Sequence, residues 1–337
     1  MAIYAGYDVA FQLSKWSLLL RLFPFYVIIR SGGDILKAYV LLTLTAIFYA
    51  GNLVVGKPVT SEIPPIFLSF LRYILALLVV LPLGFREFQQ SRDLFKKEWK
   101  AIVGLAVTGI VLFNIFVYSA LQHTTAINAG IMEASTPVFT LLLSIILLKE
   151  SIQKKQLIGI IISLIGVVLI ITKGSLAIVT GLEFNRGDLL MLAAMVSWSF
   201  YSIFIKQHMW KFPAYGVLMA LFIVSLVLFT PMLGLEWTEI KAIEWSPGLI
   251  IGVIYLGIFP SLLALIAFNI GVRELGPTRA SVFLNLIPVF TLIGSTVFLN
   301  EKASWLQIGG TILVISGVWI TNYKKEKAQR KLANDGT

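Results

Sequence analysis

Residues 137–150 read PVFTLLLSIILLKE, and residues 288–301 read PVFTLIGSTVFLNE. The two stretches lie 151 residues apart, open with the same five residues and close on a glutamate. The register extends outward without a gap. Ala129 meets Ala280, Ser144 meets Ser295, Leu148 meets Leu299, Gln156 meets Gln307, Gly159 meets Gly310, and Gly166-Val167 meets Gly317-Val318. A shift of 149 continues the match toward the N-terminus, where Tyr49 meets Trp198, Lys57 meets Lys206, Pro64 meets Pro213 and Pro82 meets Pro231. Self-similarity at a fixed offset marks an internal duplication.

The medium in which the duplicated unit folds follows from composition. Of 337 residues, 58% are hydrophobic and only 13% are charged, about half the charge of an ordinary soluble domain. So little charge cannot make a water-facing surface, which predicts that lipid surrounds most of the chain. Ten segments are apolar enough to span a bilayer: 37–56, 66–84, 100–121, 124–148, 154–172, 187–206, 213–233, 248–272, 277–299 and 304–322. A membrane span must satisfy its own backbone, so these runs predict helices rather than the short alternating strands of a barrel. The fold class is therefore an all-α membrane protein of ten helices in two five-helix halves. An odd number of spans turns the second half upside down, the inverted repeat that secondary transporters use.

Orientation follows from Lys and Arg. Placing the segment before the first span inside puts 21 basic residues in inside segments and 5 in outside segments. Both termini are thus expected in the cytoplasm, with the protein in the inner (plasma) membrane. The expected organisation is an interfacial or disordered extension over 1–35, a first repeat over 36–172, a linker over 173–186, a second repeat over 187–323 and a basic tail over 324–337. The apolar run from Trp16 to Ile29 is broken by Arg21 and Pro24 and has no small-residue cleavage site, so a signal peptide is not expected.

Several pieces together resemble the tandem EamA domains of the drug/metabolite transporter superfamily. They are Trp198 followed by Lys206, Arg72 in the second span, Pro137-Val138-Phe139 with Glu150, and Gly276-Pro277-Thr278-Arg279-Ala280 leading to Asn285-Leu286-Ile287-Pro288 and Glu301. The resemblance covers about residues 36–323. It implies ten helices, cytoplasmic termini and a central cavity. It also implies a role in moving amino acids, other metabolites or drugs, for most members by export.

Charge buried in lipid costs about 2.5–3.5 kcal/mol per group on insertion scales, so each such residue needs a reason. Arg72 and Glu133 stand clear of span ends, ~9 Å and ~14 Å below the outer surface at ~1.5 Å per residue. They are expected to share a cavity and to form an ion pair. Glu133 is also the candidate for proton coupling: its carboxylate could take up a proton when the partner cation moves away, coupling export to proton entry. The glutamate is not part of the family pattern. Asn52 and Asn114 toward the outside, and Asn269 and Asn285 toward the inside, are candidate contacts for a solute's polar head; interhelical bonding is their alternative use. Tyr49, Tyr118, Trp198 and Tyr201 are expected to help line the cavity, with Trp198 and Tyr201 three apart on one helix face; helix packing or an interface belt is their alternative use. Pro137 and Pro288, at matching places in spans four and nine, are expected as paired kinks or hinges.

These features predict a secondary transporter that carries a small-molecule solute by alternating access, with protons as the candidate coupling ion. The alternatives are an integral-membrane enzyme or a sensor. No HExxH, GxSxG or Walker motif is present, so no catalytic residues and no cofactor are expected. With no cysteine and only His123 and His208, no metal site is expected. Nothing points to nucleic acid, and a homodimer is compatible with the sequence.

Overall fold

The computed structural model describes residues 34–124, 129, 132–172, 186–298 and 304–322. The expected N-terminal extension (apart from Asp34 and Ile35), the linker (apart from Arg186) and the basic tail lie outside the described residues. Every described element is helical. In chain order the longer helices are α1 Asp34–Glu62, α2 Pro65–Gln90, α3 Trp99–His123, α4 Thr136–Leu148, α5 Lys154–Thr172, α6 Arg186–His208, α7 Ala214–Met232, α8 Pro247–Leu275, α9 and α10 Trp305–Asn322, with short helical turns between some of them. α9 is composite: Pro277–Val282, a 3-10 turn Phe283–Leu286, and Ile287–Phe298. Among the described residues seven helices are long and apolar enough to cross a membrane; α5 and the shorter α4 and α9 lie where the other three spans are expected.

Proline and glycine set the boundaries. Pro65, Pro247 and Pro277 stand in the first turns of their helices, where the missing N–H costs nothing. α8 ends at Gly276, whose φ of 85° is open to glycine at little cost, and Pro277 then restarts the chain as α9. Pro137 and Pro288 are each the second residue of a helical segment, Thr136–Leu148 and Ile287–Phe298. This corrects the expected kink at Pro137. A turn precedes Pro137, which opens a fresh helix, whereas Pro288 stands inside the continuous α9 just after its 3-10 turn.

Two long helices change register in the middle. α3 is π-helical over Val107–Leu112 and α8 over Phe259–Ala264, at matching places in the two halves.

Packing repeats with the halves exchanged. α3 lies on α6 as α8 lies on α1; α4 meets α6 as α9 meets α1; α2 meets α8 as α7 meets α3. The pairs α2–α7 and α5–α10 join equivalent helices. In the first pair each helix caps the other. Glu87 Oε2 accepts from the backbone N–H of Tyr215 and Gly216, at 2.9 and 2.8 Å. Glu236 accepts from Ile66 and Phe67, at 3.0 and 2.8 Å. All three residues of one cap map to the other by the shift of 149. A carboxylate on exposed helix N–H groups complements the dipole, and each such hydrogen bond contributes roughly 1.5–3 kcal/mol. The caps sit at opposite ends of the pair, so α2 and α7 run antiparallel.

The α5–α10 seam is made by glycine. A Cβ on Gly166 would lie 2.6 Å from the Gly310 carbonyl oxygen, and one on Gly317 would lie 2.5 Å from that of Gly159. Gly310→Ala is therefore expected to push the two backbones apart and lower the unfolding temperature in detergent. Gly309→Ala is the control: its Cβ would meet nothing within 4 Å, so the helix should gain about 0.5–1 kcal/mol. Equal effects of the two substitutions would remove the close-approach account.

Candidate functional site

The site begins with a proline. Pro260 has no N–H, so the Leu256 carbonyl four residues earlier loses its ordinary helical donor. The hydroxyl of Ser261 donates to that carbonyl at 2.7 Å. Nε of Arg72 reaches across from α2 and donates to the same carbonyl at 3.1 Å and to the Ser261 oxygen at 2.9 Å. Nη1 of Arg72 donates to Asn114 Oδ1 on α3 at 3.3 Å. The guanidinium also lies 4.9 Å from the centre of the Tyr118 ring, a cation–π contact. Arg72 is 3% exposed. It ties α2 to α8 at its π-helical segment and to α3 just after its own.

Asn114 holds the far side of this network. Its Nδ2 donates to the Tyr73 hydroxyl at 3.0 Å and to the Ile110 carbonyl, within the π-helical segment of α3, at 2.7 Å. Tyr118 donates its hydroxyl to Asn52 Oδ1 on α1 at 2.8 Å. A second tyrosine–asparagine pair joins α6 to α8, where Tyr201 donates to Asn269 Oδ1 at 2.7 Å. The repeat relates the two pairs with partners swapped: Asn52 maps to Tyr201 by 149, and Tyr118 maps to Asn269 by 151.

Among these groups lies a cavity of about 20 Å³, counted over positions open to a water centre, which is room for roughly one or two waters. Asn52, Arg72, Asn114, Glu133 and Trp198 line it, with Tyr49, Tyr73 and Phe113. Trp198 forms the aromatic wall: its ring centre is 4.5 Å from Phe113, 5.0 Å from Phe268, 5.1 Å from Tyr201 and 5.7 Å from Tyr49, the last edge-on. Small residues admit these rings. A Cβ on Gly109 would fall 2.2 Å from the Tyr201 ring.

Two polar atoms at this cavity have no hydrogen-bond partner among the described residues: Oε2 of Glu133, in the helical stretch just before the turn that leads into α4, and Nε1 of Trp198. They lie on residues 9% and 2% exposed. The expected Arg72–Glu133 ion pair is not formed. Both side chains line one cavity, but Arg72 is taken up by the freed carbonyl, Ser261 and Asn114, and neither reaches the other.

Of the nine candidate solute contacts, five therefore line the cavity, and Tyr118 and Tyr201 pack beside it. Asn269 is joined to the site through Tyr201. Asn285 stands apart, donating to Ser163 on α5 at 2.9 Å. Sequence reasoning missed Ser261, Pro260 and Tyr73. Pro260 inside an apolar run was the available signal, because a proline there must free a carbonyl.

The EamA-like transporter family model matches residues 36–172 and again residues 185–323. Among curated relatives, an uncharacterized transporter of Archaeoglobus fulgidus is 30% identical over 299 residues, covering 86% of this chain and 99% of its own. The uncharacterized transporter YetK of Bacillus subtilis is 29% identical, with 88% and 92% covered. YyaM of the same organism, also an uncharacterized transporter, is 30% identical, with 84% and 92% covered. A protein of known crystal structure matches with a TM-score of 0.65 at 20% identity, over 87% of this chain and 97% of its own, a likeness of fold.

Asn114→Ala and Ser261→Ala each remove one acceptor from Arg72 and are each expected to cost about 1–3 kcal/mol. Because both act on one guanidinium, the double variant should lose measurably less, or more, than the sum of the two. Thermal unfolding of the purified protein in detergent reads this; strict additivity would mean that the contacts do not work as a network.

Proposed function

We propose that this chain, which belongs to the EamA-like transporter family, carries a small solute across the membrane by alternating access around the Arg72–Glu133 cavity. It is a multi-pass membrane protein. The finer architecture proposed is ten spans in two inverted five-helix halves, with both termini cytoplasmic. The reciprocal capping of α2 and α7 carries this reading. Glu87 holds the start of α7 and Glu236 holds the start of α2, at opposite ends of an antiparallel pair. An inverted duplication makes such contacts in pairs, and it allows one packing to open to either side at nearly equal energy.

A cavity with room for a water or two holds no metabolite, so the structure corresponds to a closed state in this scheme. The two tyrosine–asparagine pairs are the proposed latches. Asn52–Tyr118 lies toward the expected outer side and Tyr201–Asn269 toward the expected inner side. Breaking one hydrogen bond shifts a two-state balance by about 0.5–1.5 kcal/mol, roughly two- to tenfold.

Natural absence of cysteine makes labelling clean. With a single cysteine at Val117 in the cavity wall, Tyr118→Phe should raise its labelling from the outer face and Tyr201→Phe from the inner face. Equal effects on both faces would sink the latch assignment. Cysteines placed in the segments after Leu83 and after Phe204 should label from one face; opposite faces would overturn the inverted architecture. Counterflow of a labelled metabolite extract in proteoliposomes tests transport itself, and chemical conversion of a solute instead of exchange would overturn it.

A further inference from the structure

We infer that the cavity takes a small organic anion, a carboxylate on an apolar or aromatic skeleton, and takes it together with a proton on Glu133. This rests on the transporter reading and names its substrate class.

Arg72 is always charged, and each acceptor it meets is neutral: a carbonyl, a hydroxyl and an amide oxygen. Among the described residues no carboxylate lies within ion-pairing distance of it. The hydrogen bonds hold the guanidinium in place without cancelling its charge. Glu133 is the group at the cavity that can change charge. The titratable neighbours facing it are Tyr49 from α1 and Arg72 and Tyr73 from α2; α3, α6 and α8 present only uncharged side chains to the cavity.

A charged, closed cavity in a membrane is costly, so the states able to change sides are those with no net charge. The empty site is neutral with Glu133 ionised opposite Arg72. With one anion bound it is neutral only when Glu133 is protonated. An anion without the proton leaves one excess negative charge, and a proton without the anion leaves one excess positive charge. Anion and proton therefore favour each other's binding, and the coupling is reciprocal. A monovalent amine would add a cation to a site already balanced.

The two orphan atoms point the same way. The Trp198 Nε1–H is a donor with no acceptor, and protonation would make Glu133 a donor as well. A carboxylate oxygen accepts from both, whereas an ammonium group would serve Glu133 alone. The rings of Trp198, Tyr49 and Phe113 suit an apolar skeleton. Solute and proton would then travel together, in place of the proton-for-solute exchange suggested by the sequence.

Three probes with one aromatic skeleton decide the matter: 3-phenylpropanoate, phenylalanine and 2-phenylethylamine, added to the purified full chain in weakly buffered detergent with a pH dye. The expected result is binding of the propanoate, read by tryptophan fluorescence, with about one proton taken up per anion. Its affinity should weaken roughly tenfold per pH unit on the alkaline side. Glu133→Gln should still bind the anion, with a flat pH profile and no proton uptake; Glu133→Asp should restore both. Preference for the amine or the zwitterion, anion binding without proton uptake, or no binding of the anion overturns the inference. Counterflow of phenylalanine with no proton movement would overturn it while leaving the transporter reading standing. Anion binding with no flux of any solute would instead sink the transporter reading.

Discussion

A buried arginine held by a carbonyl that a proline sets free is the contact on which the centre of this protein depends. Arg72 would be prohibitively placed in an apolar helix if α8 were regular. Pro260 and the π-helical segment around it expose the Leu256 oxygen, Ser261 adds its hydroxyl, and Asn114 closes the far side. The irregularity of one helix and the charge on another are thus two halves of a single arrangement. Each supports the other: the freed carbonyl gains a charged donor beside Ser261, and the guanidinium gains an acceptor beyond Asn114.

The scaffold around that contact is symmetric and the contact is not. Caps, the paired glycines of the seam helices, π-helical segments and tyrosine–asparagine pairs all come twice, related by shifts of 149 to 152 residues. Arg72 maps onto Leu221 and Glu133 onto Leu284, so the cavity's arginine and glutamate both come from the first half. Two equivalent arms with one chemical centre is an economical division. In the proposed alternating-access scheme, symmetry would supply two equivalent ways to open and asymmetry one place to bind.

Much of this was legible in the sequence. Long apolar runs gave the helices, because lipid leaves the backbone few other options. Arg72 and Glu133 stood out because charge inside such runs is expensive. The glycines at 159, 166, 310 and 317 stood out by their spacing. Other features were hidden for physical reasons. π-helical register is a matter of which carbonyl meets which N–H, and composition does not encode it. The partner of Arg72 was a backbone oxygen brought from 184 residues away, whereas the visible candidate was the opposite charge on Glu133. Pro137 and Pro288 were expected inside continuous helices. Pro137 stands instead at a helical start, because a turn breaks the chain before it, while Pro288 follows a 3-10 turn within α9.

The glycine seam carries a consequence for origins. Gly159 meets Gly317 and Gly166 meets Gly310, so each glycine faces the repeat counterpart of its neighbour rather than its own. A surface that pairs crosswise in this manner is self-complementary. A lone five-helix ancestor, set antiparallel to a second molecule of itself, would already find the same backbone-to-backbone fit. Gene fusion could then join two chains at a junction that was already in working order, without any new surface having to evolve.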